Sequence, residues 1–451
     1  MPNKRRFKKI PGSICTAHGF RAGAVFCNIK TLGTGKGSEK GIKPDLALIV
    51  SDLPASVAGM FTTNRVCAAP VKVSAKCAAR NVARAIVVNS GNANACTGVQ
   101  GMRDAKRMVK ITAKALAAID ATVIDRRYRR ITPNDVLVCS TGRIGVRMPM
   151  KNVERGIDAC APLIGRSTHK AREAAEAILT SDTRRKEVAV ELKIDGRLVR
   201  IGGIAKGAGM IQPRMAAAAK IRHATMLAFI TSDVAIMPGL LKSALAEAVE
   251  QSFNRVTVDG DMSTNDSVIA LANGLAGNRK LLKRDSRFAA FQSALAFVCQ
   301  ELAEMIVRDG EGVSRFVTIR VRNARNVGDA ERAARAVANS SLVRTSWCGG
   351  DPNWGRILCA VGYSGAKIQE NRTDIGYSEP GNERVLYGFR RGAPTEVPFR
   401  KLSTITSAPE FDVHIDLHSG RSQFTLRASD LTEEYVTFNK GDITDPESLG
   451  G

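Results

Sequence analysis

The sequence predicts an α+β protein of layered sheets and helices, with a main domain over residues 1–315 and a smaller C-terminal α+β domain over residues 316–451. Strand-like apolar runs alternate along the chain with helical ones, and glycine-rich turns separate them. No internal repeat and no long low-complexity linker interrupts this alternation. The hydrophobic share of 44% and the charged share of 24% are those of an ordinary globular protein.

The elements of the first half are predicted from their periodicity and from the turns beside them. Apolar runs bounded by turns predict strands over residues 84–89, 135–139, 187–194 and 198–204. The last two flank Asp195-Gly196, a dipeptide that favours a tight hairpin turn, so we expect them to pair. The segment 171–179 is rich in Ala and Glu and predicts a helix.

The second half is predicted to begin with a strand over residues 224–230 and to continue with helices. Pro238 suits the first position of a helix that runs to about residue 252. Further helices are predicted over residues 287–308 and 329–339.

A late hairpin is expected to pair residues 411–417 with residues 423–427 across a turn at 419–421. Within it, His414 and His418 alternate with apolar residues, which is the periodicity of a strand. At ~3.3 Å per residue the two histidines are about 13 Å apart, too far to share one metal ion. We therefore expect no metal site here.

The charge of the chain is unevenly distributed. The formal net charge is +24; residues 1–224 hold 41 Lys and Arg against 15 Asp and Glu, whereas residues 225–451 hold 26 against 28. A basic half could neutralise nucleic-acid phosphates, but five Tyr and two Trp offer few stacking platforms. We expect a solvated basic face and no nucleic-acid partner.

The cysteine pattern and the length of the apolar runs are typical of a cytoplasmic protein. The ten cysteines form no Cys-x-x-Cys pair, and their density is far below that of disulfide scaffolds. No apolar run reaches the ~18 residues of a membrane span. We therefore expect reduced thiols in a cytoplasmic protein without a membrane partner.

Four glycine-punctuated loops follow predicted strands, at residues 91–98, 141–145, 206–209 and 349–356. Glycine lets backbone N–H groups approach a ligand closely, although each loop alone is more typical of a tight turn. None fits the Gly-x-x-x-x-Gly-Lys-Ser/Thr or Gly-x-Gly-x-x-Gly pattern, so no nucleotide cofactor is indicated.

Histidine is scarce, which limits the available general bases. The chain has five His, none near Asp and Ser in the order of a catalytic triad. An enzyme without a usable His or a metal must find its base elsewhere. One solution is a nucleophile at a chain start whose own α-amine serves as the base. Thr225 stands at the start of an apolar strand, where a threonine on its own is usually structural.

Six short motifs stand along the chain. They are Asn-Ser-Gly-Asn-Ala-Asn-Ala-Cys-Thr-Gly at 89–98, Ser-Thr-Gly-Arg-Ile-Gly at 140–145, Lys-Gly-Ala-Gly-Met-Ile at 206–211, Ala-Thr-Met-Leu at 224–227, Val-Asp-Gly-Asp-Met-Ser-Thr-Asn-Asp at 258–266 and Asp-Pro-Asn-Trp-Gly-Arg-Ile-Leu at 351–358. Taken together they resemble the ornithine acetyltransferase (glutamate N-acetyltransferase) family of arginine biosynthesis. They occur in the family's order, and the resemblance spans about residues 19–444, nearly the whole chain. Each motif is short, but the combination is specific.

The resemblance implies the layered fold of that family and a chain that cuts itself. The Thr225 hydroxyl would attack the Ala224 carbonyl, and hydrolysis of the resulting ester would leave an α chain of residues 1–224 and a β chain starting at Thr225. The freed amine would then serve as base for the Thr225 hydroxyl. Thr225 would take acetyl from N2-acetylornithine and pass it to glutamate, a ping-pong route through an acetyl-threonine ester.

The resemblance also implies roles for other residues. Thr141 and Gly142 match the pair of donors for the oxyanion of a tetrahedral intermediate. Lys206 is expected to pair with the substrate carboxylate, and Glu311 with the ornithine ammonium. Further substrate contacts are implied at Thr180, Asn439 and Thr444. No cofactor is implied, with acetyl-CoA as an optional co-substrate, and the assembly implied is two α and two β chains.

One departure from the family and three alternatives stay open. Compared with the family, residues 214–223 are expected to form a loop that contains an insertion just before Thr225. The loss of self-cleavage in this chain therefore stays open as an alternative. The first alternative is a bifunctional enzyme that also makes N-acetylglutamate from acetyl-CoA. The second is a threonine-dependent amidase or aminopeptidase. The third, from another class, is a basic binding protein on an inactive scaffold.

Overall fold

The computed structural model describes residues 7–30, 43–123, 130–217 and 226–440. Three residues singled out above, Ala224, Thr225 and Thr444, lie outside the described residues, as does most of the loop expected over 214–223. In the described part, two β-sheets are covered by helices. This arrangement confirms the predicted α+β class.

The elements are numbered in chain order. The strands are β1 (Phe7–Ile10), β2 (Phe20–Val25), β3 (Leu46–Thr62), β4 (Val82–Asn89), β5 (Val136–Ser140), β6 (Lys186–Ile194), β7 (Arg197–Lys206), β8 (Met215–Ala217), β9 (Leu227–Ser232), β10 (Ser267–Ala272), β11 (Phe316–Ala324), β12 (Asp374–Ser378), β13 (Leu386–Arg390), β14 (Ala393–Pro394), β15 (Glu410–Asp416) and β16 (Ser422–Ser429). The α-helices are α1 (Ala69–Ala78), α2 (Gly98–Val123), α3 (Met150–Cys160), α4 (Thr168–Ala177), α5 (Pro238–Gln251), α6 (Ser286–Arg308), α7 (Val327–Asn339), α8 (Ser341–Cys348), α9 (Trp354–Gly362), α10 (Phe399–Thr406) and α11 (Glu433–Asn439).

The first sheet has the order β1-β6-β7-β9-β10-β3-β4-β5, and β2 and β8 also pair with β3. The hairpin of β6 and β7 is confirmed, with Asp195 and Gly196 both at positive φ (51° and 75°) in its turn. Strand β9 is buried on both faces. Ala228 and Ile230 pack in the cluster that contains α5 and α6, while the alternate residues of the strand pack in the cluster that contains α1 and α4.

Helix α6 is a core helix of this sheet. Ten of its side chains are buried, and it packs on β6, β7 and α5. By length and composition, its 23 residues are long and apolar enough for a membrane span, although polar and charged residues interrupt its apolar runs. The buried side chains show that its apolar surface is used inside the protein.

The second sheet has the order β14-β13-β12-β15-β11-β16. The late hairpin predicted over 411–427 is therefore wrong, because β15 and β16 do not pair with each other. Strand β11 lies between them, parallel to β15 and antiparallel to β16. The connecting turn crosses the end of β11, where a Cβ on Gly420 would lie 2.9 Å from the Arg325 Cα. The close approach explains the glycine.

The second sheet begins at Phe316, the residue at which the smaller domain was expected to start. The division into domains 1–315 and 316–451 stays a prediction. Residues on the two sides of this boundary are in contact: Arg427 of β16 forms a β-bridge with Val256 and donates to Glu304 of α6 at 3.0 Å. After β16, the Thr432 hydroxyl donates to the Gly312 carbonyl at 2.6 Å and caps α11. Helix α11 thus returns to the segment that follows α6.

Candidate active site

Three of the residues singled out in the sequence meet at the end of β7. Lys206 is the last residue of that strand, and its side chain is only 4% exposed. Its Nζ donates to the Thr180 hydroxyl at 2.6 Å and to the Thr141 hydroxyl at 3.3 Å. Leu227, the first residue of β9, pairs with Lys206 in the sheet. Met226, the first described residue after position 217, therefore lies directly beside this cluster.

Lys206 belongs to a buried network of two lysines and two aspartates. Lys186 Nζ lies 2.6 Å from Asp182 Oδ1 and 2.5 Å from Asp309 Oδ2, and Lys206 Nζ lies 3.8 Å from Asp182 Oδ2. The Gly207 amide also donates to Asp182, at 2.6 Å. Two ammonium groups and two carboxylates compensate one another, which is the condition for burying charge.

The pKa values of this network follow from burial and pairing. Burial alone would raise the pKa of Asp182, but Lys186 and Lys206 hold it well below its ordinary value. Burial lowers the pKa of Lys206, and Asp182 and Glu311 oppose that effect. An incoming anion would stabilise the ammonium form of Lys206 further.

The loop after β5 presents Thr141 and Gly142 to this cluster. The Thr141 amide donates to the Asn89 carbonyl at 3.0 Å, so the loop lies against the one that follows β4. Gly142 has φ +124°, and a Cβ there would lie 2.6 Å from the Asn92 nitrogen. Only glycine fits this backbone and this approach.

Asn265 holds these two loops together. Its side-chain amide donates to the Ala93 carbonyl at 2.6 Å and to the Ser140 carbonyl at 2.8 Å. Cys139 lies one residue before Ser140, and burial raises the pKa of its thiol to about 12. That thiol is protonated at neutral pH and is a poor competing nucleophile.

Glu311 and Asn439 also lie together. Asn439 Nδ2 donates to Glu311 Oε2 at 3.0 Å, and the Glu311 amide donates to the Ala208 carbonyl at 3.0 Å. A Cβ on Gly209 would lie 2.5 Å from the Glu311 Cδ, so the glycine admits the carboxylate. Glu311 is half-buried and Asn439 exposed.

Several residues of the site were not singled out from the sequence. Asp182 pairs with both Lys186 and Lys206, and the Asp259 carboxylate accepts from the Met210 amide at 2.6 Å and from the Ile211 amide at 2.8 Å, which fixes the loop after β7. Asp259 stands in one of the quoted motifs and Asp182 two residues after Thr180, so proximity to a motif was the available signal. Asp309 stands two residues before Glu311 and offered the same signal, whereas Lys186 offered none.

The described part of the chain contains no group of three or more His, Cys, Asp or Glu arranged to hold a metal ion. What it brings together is a buried ammonium, two hydroxyls, a glycine loop and a half-buried carboxylate. Such a set can bind the carboxylate and the ammonium of one small molecule and can donate to an oxyanion.

Comparison with known proteins covers nearly the whole chain. The sequence profile of the ArgJ family matches residues 28–442. The chain is 42% identical over 430 residues to the arginine biosynthesis bifunctional protein ArgJ of Symbiobacterium thermophilum, with 95% of this chain and 98% of that protein covered. It is 40% identical over 436 residues to the glutamate N-acetyltransferase of Methanocaldococcus jannaschii, with 95% and 98% covered. A crystal structure of the bifunctional protein ArgJ from Bacillus halodurans is 36% identical, has a TM-score of 0.44, and covers 47% of this chain and 96% of that one.

Proposed function

Because this chain belongs to the ArgJ family, we propose that it transfers the acetyl group of N2-acetylornithine to glutamate in arginine biosynthesis. The observation that carries the proposal is the contact of the buried Lys206 ammonium with the Thr141 and Thr180 hydroxyls beside the start of β9. A buried cation suits a substrate carboxylate, and Glu311 suits the ornithine ammonium. Family membership also sets aside the basic binding protein considered from the sequence.

The proposed enzyme first cuts its own chain. The Thr225 hydroxyl attacks the Ala224 carbonyl, the Ala224–Thr225 C–N bond breaks, and water hydrolyses the ester that results. The products are an α chain ending in the Ala224 carboxylate and a β chain starting with the Thr225 amine. This amine supplies the base in a chain with five histidines, none of them near Asp and Ser in the order of a catalytic triad.

Acetyl transfer then takes two balanced steps. The Thr225 hydroxyl oxygen attacks the acetyl carbonyl while its proton passes to the Thr225 amine; the amide C–N bond breaks and ornithine leaves with that proton. Glutamate's amine then attacks the acetyl-threonine ester, and the Thr225 oxygen leaves and regains a proton. Thr141 and Gly142 donate to the oxyanion in both steps, and loss of one such donor typically costs about 3 kcal/mol.

Thr225→Ala tests the nucleophile. We expect one uncut chain by intact mass and no acetyl transfer, whereas Thr225→Ser, which keeps a hydroxyl, is cut between residues 224 and 225 and retains activity. The proposed substrate contacts are Thr180, Lys206, Glu311, Asn439 and Thr444. An uncut wild-type chain that transfers acetyl at full rate would contradict the mechanism.

The relatives named bifunctional favour a second activity, the synthesis of N-acetylglutamate from acetyl-CoA. The test supplies acetyl-CoA and glutamate without acetylornithine and measures free CoA. The amidase alternative is tested with acetylornithine and no glutamate, where water replaces glutamate and acetate is released. Thr225→Ala should abolish each of these reactions, because all pass through the same ester.

The assembly and the compartment belong to the proposal as well. We place the enzyme in the cytoplasm, as an assembly of two α and two β chains without a resident cofactor. Native mass spectrometry of the processed protein checks the assembly, and a mass equal to one α and one β chain would contradict it.

A further inference from the structure

A cavity of about 360 Å³ opens beside α7, away from the residues proposed to contact the substrates. Arg332, Arg335 and Asn339 share one face of α7 and line the cavity. Arg214, from the segment before β8, and Tyr363, the residue after α9, line it as well. None of the described residues that line the cavity is acidic, so three guanidinium groups dominate its charge.

Arg335 is the buried arginine of this cavity, with a side chain that is only 9% exposed. Its Nε donates to Glu331 Oε1 at 2.7 Å, and its Nη2 donates to the Asn254 carbonyl at 2.9 Å. Its Nη1 is closed to solvent and has no hydrogen-bond acceptor among the described residues. Burying a charged donor without an acceptor is costly, so this atom calls for an explanation.

The charges around Arg335 are incompletely balanced. Glu331 also lies 3.7 Å from Arg214 Nη2, so one carboxylate serves two guanidinium groups. Glu250 faces Arg335 as well, but Arg255 in turn faces Glu250. Burial lowers the pKa of the Arg335 guanidinium, Glu331 opposes that effect, and the positive charge of Arg214 adds to it. An anion close to Arg214 and Arg335 would offset their repulsion.

Arg332 brings a third positive charge to the cavity. Its guanidinium contacts the buried carboxylate of Asp329, which Arg325 also contacts at 3.1 Å. Asp329 and Glu331 therefore serve four guanidinium groups, which leaves an excess of two positive charges among these six side chains. The side chains of Arg332 and Arg214 are 49% and 53% exposed, so both are free to turn toward a ligand.

We propose that this cavity binds a small phosphate monoester, whose phosphoryl oxygens accept hydrogen bonds from Arg214, Arg332 and Arg335. A phosphate monoester carries a charge of roughly −1.5 to −2 at pH 7 and three strong acceptor oxygens. It therefore matches both the excess charge and the number of guanidinium groups, whereas a carboxylate brings one charge and two oxygens. The volume is within the range of small-molecule sites. The inference goes beyond acetyl transfer and does not depend on it.

Titration calorimetry with inorganic phosphate at constant ionic strength tests the site. We expect one saturable site per copy of the sequence. Arg214→Gln and Arg332→Gln should each weaken binding roughly 10-fold, because each removes a charged donor to the phosphate. Arg400→Gln is the matched control: it changes an exposed arginine of α10 outside the cavity and should bind phosphate like the wild type.

Two further measurements make the result specific. Arg335→Gln should also weaken binding, but it removes the contacts with Glu331 and Asn254. If that variant does not fold, as judged by thermal unfolding, the half-exposed Arg214 and Arg332 carry the test. Acetate, titrated in the same way, should bind at least about 10-fold more weakly than phosphate, because it presents fewer oxygens and less charge.

Three results would overturn the inference. The first is the absence of saturable phosphate binding. The second is phosphate binding that Arg214→Gln and Arg332→Gln leave unchanged, since the ion would then be held elsewhere on this basic protein. The third is equal affinity for acetate and phosphate, which would contradict the assignment to a phosphate ester.

The phosphate can belong to a free metabolite or to the 3′-phosphate of CoA, which is itself a monoester. CoA and dephospho-CoA differ in that group alone, so a competition titration against inorganic phosphate separates the two sources. Displacement by CoA and not by dephospho-CoA assigns the site to CoA, and displacement by neither assigns it to a free phosphate ester. Equal displacement by both would contradict recognition of the monoester.

Discussion

The side-chain amide of Asn439 donates a hydrogen bond of 3.0 Å to the Glu311 carboxylate, although the two residues are 128 positions apart. Helix α11 carries Asn439 and is anchored by the hydrogen bond from Thr432 to Gly312, next to Glu311. Helix α11, which follows the last strand of the second sheet, therefore contacts the segment that follows α6.

Glu311→Gln should raise the KM for N2-acetylornithine more than the KM for glutamate. The ornithine side chain carries an ammonium that Glu311 would pair with, and glutamate has no such group. Loss of a charged partner at a half-buried site is worth about 1–3 kcal/mol, or roughly 10- to 100-fold in KM.

Steady-state kinetics with each substrate varied in turn checks this expectation. Glu396→Gln, on an exposed loop, serves as the matched control and should change neither KM. Equal effects on both substrates would mean that Glu311 does not recognise the ornithine ammonium.

Asp182→Asn should destabilise the fold by about 3–5 kcal/mol at neutral pH, because it leaves the buried Lys186 and Lys206 with one carboxylate fewer. Lys186 and Lys206 hold the pKa of Asp182 below its ordinary value in the folded state. The stabilisation is therefore complete above the unfolded-state pKa of about 3.9 and is lost as the pH falls below it.

Chemical unfolding of wild type and variant at pH 7 and at pH 3 measures this difference. The gap in the free energy of unfolding should be large at pH 7 and smaller at pH 3. Asp158→Asn, an exposed residue of α3, should show no gap at either pH. A gap for Asp182→Asn that does not change with pH would contradict the assignment to Asp182.

Gly142→Ala should lower kcat by about 100-fold, the typical effect of disturbing one oxyanion donor. The substitution forces a Cβ to within 2.6 Å of the Asn92 nitrogen at φ +124°, so the loop must move. Gly145→Ala is the matched control, since Gly145 also has positive φ (+81°) but a Cβ there meets nothing within 4 Å.

Activity and thermal stability measured together distinguish the two glycines. Gly145→Ala should lose only about 1 kcal/mol of stability and keep its turnover. Similar turnover in the two variants would show that the position of the Gly142 amide is not needed for catalysis.

Local signals in the sequence predicted the elements well. Asp195-Gly196 fixed the β6–β7 hairpin, and Pro238 marked the start of α5, because turn and cap preferences act over a few residues. The pairing of β15 with β16 failed for the opposite reason. Their true neighbour, β11, lies about 90 residues earlier, and no local pattern reports such an insertion.

The same difference between local and long-range information applies to the candidate site. Motif resemblance brought Thr141, Thr180 and Lys206 together, and the structure places them in contact. It could not reveal that Lys186 reaches Asp309 across 123 positions or that the Asp266 carboxyl is buried unpaired. Such facts depend on long-range packing. The predicted nucleophile, Thr225, and the contact at Thr444 stay predictions.

The place of β11 between β15 and β16 in the second sheet has a consequence for biosynthesis. Its two neighbours, β15 and β16, leave the ribosome only after roughly a hundred more residues have been made, so the nascent chain carries β11 with both edges open until then. A premature stop before residue 422 would leave one edge permanently free, and free strand edges promote association between chains. We therefore expect truncated products of this gene to aggregate rather than to persist as soluble fragments.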